Sequence, residues 1–217
     1  WIFISAAKLY RKNRKKPPRG LQSFLEPIII FVRDDIARQS IGEKNYERFT
    51  PYLLTVFFFI WINNMLGIIP IPPGGANLTG NIAVTGVLAL FTLITTNLSG
   101  NKNYWKHIFN TPGVPVWLKI PPVMPLIELF GIFTKPIVLM IRLFANITAG
   151  HLITLGFLSL IFVFGEKSTT MGIVVSPLSI LFLLFMIFLE LLVAFIQAFV
   201  FTFLSALYIG FAVEEHH

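Results

Sequence analysis

Long apolar runs alternate with short polar ones along this chain, and the run lengths predict its elements. Residues 51–69 (PYLLTVFFFIWINNMLGII) carry no charge. Their length suits a hydrocarbon core of about 30 Å, which predicts a spanning helix. PIPPGG breaks the chain, and residues 81–99 predict a second charge-free span. Residues 20–49 mix Glu26, Arg33, Asp34, Asp35 and Arg38 with apolar positions. That stretch is too polar to span and predicts an amphipathic helix lying at the interface. Residues 1–10 (WIFISAAKLY) read as the last turns of a first membrane helix, followed by a basic loop at 11–19.

The last two runs are too long for upright spans. Residues 121–165 and 172–213 flank the turn GEKSTTMG, and the second run holds one charged residue, Glu190, in 42 positions. A single helix of that length measures roughly 63 Å. It fits a 30 Å core only at a tilt of roughly 60°, beyond the usual 0–40°, unless it breaks, with Pro177 the natural place. The pattern predicts a steeply tilted helical hairpin that hugs something curved.

Composition narrows the class. Of 217 residues, 55% are hydrophobic and only 12% charged, and there is no cysteine. Soluble domains carry about 25% charged residues, so a soluble enzyme and a disordered chain are excluded. Without cysteine there is no disulfide scaffold, iron–sulfur cluster or thiolate zinc site. The fold class is all-α polytopic membrane protein. Charge then sets orientation. Residues 8–48 hold eleven Lys or Arg, residues 71–80 none and residues 100–120 three. The first and third loops therefore belong on the cytoplasmic or matrix side, as does the C-terminus by alternation. Six basic residues lie between Arg11 and Arg19. Such a juxtamembrane cluster marks a cytoplasmic loop or an anionic-lipid contact, and with no interleaved aromatics it does not mark a nucleic-acid partner.

The chemistry lies in the few polar residues of the apolar runs. Arg142, deep in IVLMIRLFANITAGHLITL, stays protonated at any physiological pH and is expensive at mid-membrane. It reads as a fixed positive charge facing a mobile anion. Glu190, in IFLELLVAFIQAF, suits a proton relay; the plainer reading is a carboxyl hydrogen-bonded for packing. His151 alone would as often be a satisfied core residue. Folding the hairpin about residue 168.5 puts position i opposite 337 − i. Arg142 then faces about 195, beside Gln197, and His151 faces about 186, one turn from Glu190. At about 100° per residue, Glu128, Lys135 and Asn146 fall within about 40° of Arg142, whereas His151 points about 180° away. Arg142 and His151 should serve different surfaces, which sits awkwardly with pairing both across one flat face. Asn64 and Asn81 could line a wet outer cavity or merely cap helices. No metal site or cofactor is expected. One membrane histidine excludes bis-histidine haem, and no Ser–His or paired-Asp constellation supports an intramembrane hydrolase. An autonomous secondary transporter is the main rival, but no internal repeat supports it.

At RLFANITAGH the chain resembles subunit a of the F-type ATP synthase. The likeness runs through NNMLGIIP, NLTGNIAVT, PLIELFGIFTKPIVLMIRLFANITAGH and ELLVAFIQAFVFTFLSALYI to the terminal EEHH. It implies a non-catalytic proton-channel stator subunit with two half-channels and two long, nearly horizontal helices wrapped on a ring of c subunits. The implied partners are that ring, the peripheral-stalk b subunits, the rest of the synthase and membrane lipids. Arg142 matches the family's essential arginine. Glu128, Asn146 and Gln197 match polar positions along the proton path, and His151 with Glu190 match a pair in the outer half-channel. Some bacterial members carry that pair as acid first and histidine second; here the order is reversed, as in mitochondrial members. NLTGNIAVT and the long basic loop resemble bacterial members. The implied location is the bacterial inner membrane, with the mitochondrial inner membrane as the alternative, and protons are the implied coupling ion.

Overall fold

The computed structural model describes residues 21–68, 78–109 and 123–214. The predicted helix end at 1–10, the basic loop at 11–19, the PIPPGG break, Pro112, Pro115, Lys119 and the terminal EHH lie outside them. Every regular element among the described residues is helical. In chain order they are α1 (Leu21–Ile30), a π-helical stretch (Phe31–Arg38), α2 (Gln39–Ile41), α3 (Tyr46–Ile68), a 3₁₀ turn (Leu78–Gly80), α4 (Ile82–Ser99), α5 (Lys102–Phe109), α6 (Val123–Lys167) and α7 (Thr169–Val213). Four of these, α3, α4, α6 and α7, are long and apolar enough to cross a membrane. The molecule is an all-α polytopic membrane protein.

The amphipathic segment is not one uniform helix. Its charged middle, FVRDDIAR, winds as a π-helix that buries Val32, Ile36 and Ala37. Widening the turn re-aims these three apolar side chains inward while Arg33 and Asp34 stay outside as an ion pair at 2.7 Å. The hydrogen bond from Arg33 holds the Asp34 carboxyl below its ordinary range. The segment stops at Gly42, whose φ of 87° suits glycine. α3 then begins at Tyr46, five residues before the charge-free run, because YERFT is helical without being apolar. Pro51 sits in its second turn, where Thr55 donates to the Pro51 carbonyl at 2.7 Å. The third loop contains a helix, α5, that hydropathy alone did not mark.

α6 and α7 each run 45 residues without interruption. Pro136 and Pro177 are both interior, so of the two alternatives, a tilted helix or one broken near Pro177, the helix is continuous. Each helix is roughly 68 Å long, more than twice the hydrocarbon thickness. The expected eight-residue turn reduces to Ser168 alone. Gly165 and Gly172 permit this: a Cβ at Gly172 would stand 2.9 Å from the Gly165 Cα.

The core lies where the π-helical stretch, α3 and α7 meet one side of α6. Phe57, Leu53, Ile60, Leu139, Leu143, Phe201 and Ile209 are buried there. Phe195 of α7 stands edge-on to Phe57 and Trp61 of α3, each at 5.8 Å. Burying an aromatic or aliphatic side chain of this size stabilises by about 1.5–3 kcal/mol in water, and inside a bilayer close packing takes over that role. Thr92 joins three helices through its hydroxyl, 2.9 Å from that of Tyr52 and 3.3 Å from that of Ser205. Asn101, between α4 and α5, donates its amide to the Ala212 carbonyl at 2.9 Å and its side chain to that of Val213 at 2.8 Å. These bonds satisfy carbonyls that the end of α7 leaves without helical partners. The other sides of α6 and α7 carry exposed Ile141, Leu152, Phe162, Leu181 and Phe188.

Candidate functional site

Two small polar crevices flank the middle of α6. The first is about 30 Å³ and is lined by Asn64 and Ile68 from α3, Asn146, Gly150 and His151 from α6, and Glu190 and Gln197 from α7, among others. Asn64 and Gln197 are each 3% exposed. Asn146 donates from Nδ2 to Gln197 Oε1 at 2.8 Å, and Thr79 donates to Asn64 Oδ1 at 2.6 Å. The remaining amide donors, Asn64 Nδ2 and Gln197 Nε2, are buried and have no acceptor among the described residues. Buried donors demand acceptors. A cavity of about 30 Å³ accommodates one or two water molecules. Glu190 reaches into this space because Gly150 faces it: a Cβ there would lie 2.8 Å from Glu190 Oε1. That oxygen also accepts a hydrogen bond from Thr154 at 3.0 Å.

The second crevice, about 20 Å³, is lined by Thr92, Thr96, Asn97, Tyr104, Lys135, Pro136 and Tyr208, among others. Thr96 is 7% exposed and its hydroxyl lacks a partner among the described residues. Lys135 Nζ stands 5.3 Å from the centre of the Tyr208 ring, within cation–π range.

Arg142 lies between the two sets along α6: Lys135 and Pro136 precede it, and Asn146 to His151 follow. It is exposed beside exposed Ile141 and Val138, whereas Leu139 and Leu143, roughly a quarter-turn round the helix from it, are buried. No described carboxylate stands within ion-pair distance of it. Tyr208 is within electrostatic reach of its charge. An unpaired guanidinium on an apolar outer face is costly unless something negative comes to it.

The hairpin register differs from the symmetric one. The expected pairing of Arg142 with Gln197 is not formed; Asn146 takes that place, where 337 − i would put residue 191 opposite it. Glu190 meets Gly150 and Thr154 rather than residue 147. α7 therefore follows a longer path from Ser168 than α6 does. Pro177 sits on that path, and a proline removes one rung of the helix and lets it bend. Asn81 is the N-cap of α4, accepting from the Ala83 amide at 2.9 Å, and is not among the residues lining the first crevice. Glu128 belongs to α6, two heptads before Arg142. The sequence reading did not single out Thr154, Thr96, Tyr104 or Tyr208. Hydroxyls are common in membrane helices, and only a known register distinguishes these.

The fold and site thus define a polytopic helical membrane protein whose long hairpin carries a broken file of polar residues through an apolar body. The chain belongs to the ATP synthase A chain family, whose sequence model matches residues 1–210. It is 43% identical over 223 aligned residues to ATP synthase subunit a of Chloroherpeton thalassium, covering 99% of this chain and 63% of that protein. It is 44% identical over 213 residues to the subunit a of Myxococcus xanthus, covering 95% and 66%. With that of Anaeromyxobacter dehalogenans it shares 44% over 215 residues, covering 94% and 52%. The chain spans between about half and two thirds of the length of these relatives.

Proposed function

We propose that this chain is the proton-translocating stator subunit of a bacterial F-type ATP synthase and hydrolyses no ATP itself. The observation that carries the reading is the exposed Arg142, with no described carboxylate in ion-pair range, between two separate polar crevices on one helix. Protons enter the first crevice from outside, pass His151 and Glu190, and load a carboxylate on the passing c-ring. After nearly a full turn they leave through the second crevice, on the side of Glu128. Gln197 and Asn146 hold the first crevice open next to the ring-facing surface, and Asn64 closes its back. Arg142 attracts each unloaded carboxylate and repels protons, so the two crevices are joined only by rotation. Each charge crossing 100 mV releases about 2.3 kcal/mol, so several must be coupled per ATP.

The exposed apolar sides of α6 and α7 suit the c-ring, and the remaining surface suits lipid and the peripheral-stalk b subunits. The bacterial relatives and the basic loops favour the plasma membrane with the C-terminus in the cytoplasm. In inverted vesicles bearing the assembled enzyme, Glu190→Gln should lower ATP-driven acidification by at least about tenfold, because a relay carboxyl is replaced by a group that cannot release a proton. Acidification at the wild-type rate would remove Glu190 from the path.

A further inference from the structure

Threonines inside these helices mostly turn their hydroxyls back onto their own backbone. Thr50, Thr55, Thr134 and Thr148 each donate to the carbonyl four residues earlier. Thr154 does not. Its hydroxyl crosses the hairpin and donates to Glu190 Oε1 at 3.0 Å. One turn earlier Gly150 presents no side chain, and any Cβ there would crowd the same oxygen. Oε1 is thereby seated on α6 between Gly150 and Thr154, and Glu190 lines the same crevice as His151. A carboxylate on a three-torsion side chain is otherwise free to swing, and a fixed donor removes that freedom.

We propose that Thr154 is the positioning residue of the outer relay: its hydroxyl anchors one Glu190 oxygen so that the other faces His151. The assignment rests on the relay reading above. The groups around Glu190 are few. α6 contributes His151 as the one titratable residue lining the crevice, and α3 contributes Asn64 and Ile68, neither of them ionisable.

The test uses the assembled enzyme in inverted vesicles, with ATP-driven acidification and ATP synthesis driven by an imposed proton gradient measured across external pH. Thr154→Val keeps the shape and deletes the donor. The expected result is a several-fold lower maximum and a pH profile moved alkaline by roughly one to two units, the equivalent of one lost hydrogen bond to a charged acceptor. Thr154→Ser should restore both. In a Glu190→Gln background Thr154→Val should add nothing. A wild-type profile in Thr154→Val overturns the assignment, as does a lower maximum with an unmoved profile that serine fails to rescue. If Thr154→Val does not assemble, Thr154→Ala against Thr154→Ser asks the same question without added bulk. A silent Thr154→Val beside an inactive Glu190→Gln rejects the positioning role alone. Full proton flow in Glu190→Gln rejects the relay and the assignment with it.

Discussion

Arg142→Ala should abolish ATP-driven proton pumping and leave a passive proton leak once the catalytic head is stripped away. This is the largest effect expected from any single substitution in the chain. The guanidinium cannot lose its proton, and it stands exposed on an apolar face with no described carboxylate to answer it. A ring carboxylate passing at about 4 Å would be attracted by about 4 kcal/mol at an effective dielectric near 20. The same field opposes a proton passing between the crevices, and losing it corresponds to roughly a thousandfold in rate. The measurement is fluorescence-monitored acidification of inverted vesicles, before and after removal of the head. Alanine is smaller and apolar and should insert more readily than arginine, so loss of pumping would not reflect loss of the subunit. Pumping at the wild-type rate would strip Arg142 of its barrier role and bring back the autonomous-transporter reading.

Gly210→Ala should cost the subunit its stability. α7 passes so close to the end of the amphipathic segment that a Cβ at Gly210 would run into the Ser40 backbone carbonyl. Backbone cannot swing aside as a side chain can, so α7 and α2 must part. With them goes the packing of Ile41, Phe201, Ala206 and Ile209. Overpacking of this kind costs about 1–3 kcal/mol, against a total stability of about 5–15 kcal/mol for an ordinary domain. Gly86→Ala supplies the contrast: its Cβ meets only the Met140 sulfur at 3.3 Å, on a flexible side chain that can yield. The steady-state amount of each variant in membranes and its aggregation temperature in detergent should separate the two. Equal values would show that the α7–α2 contact is not structurally important.

Much of this architecture could be read from charge-free runs. The spans at α3 and α4 and the oversized hairpin follow from length alone, since no other arrangement hides so many consecutive apolar residues. The ends were harder. α3 starts in YERFT, where helix propensity continues after hydropathy stops, and the π-helical turn in FVRDDIAR has no compositional mark. For the site, Arg142, Glu190 and His151 stand out as polar residues in apolar surroundings. Asn81 did not resolve, because an asparagine that caps a membrane helix and one that lines a channel look alike in sequence. The symmetric hairpin rule assumed equal paths on both arms, which the Asn146–Gln197 bond contradicts. The awkwardness between wheel and hairpin came from that flat picture. In the structure Arg142 faces outward and His151 lines the crevice behind it, on different sides of one helix. Thr154 stayed hidden because its meaning depends wholly on what lies across the hairpin.

The two ends of α7 are held very differently. Its C-terminal end is gripped by two independent neighbours, α2 against Gly210 and Asn101 against Ala212 and Val213. Its other end is held within the hairpin itself, by the Ser168 turn, the packing of Gly172 on Gly165 and the stacking of Phe157 on Phe182 at 5.2 Å. Mechanically the hairpin is a cantilever, clamped at one end, with deflection growing toward the tip. Sideways drag from a turning partner would leave the crevice at Tyr208 nearly stationary and displace the one at Glu190 more. On the proton path proposed above, the precision of hand-over should fall off along the hairpin with distance from that clamp.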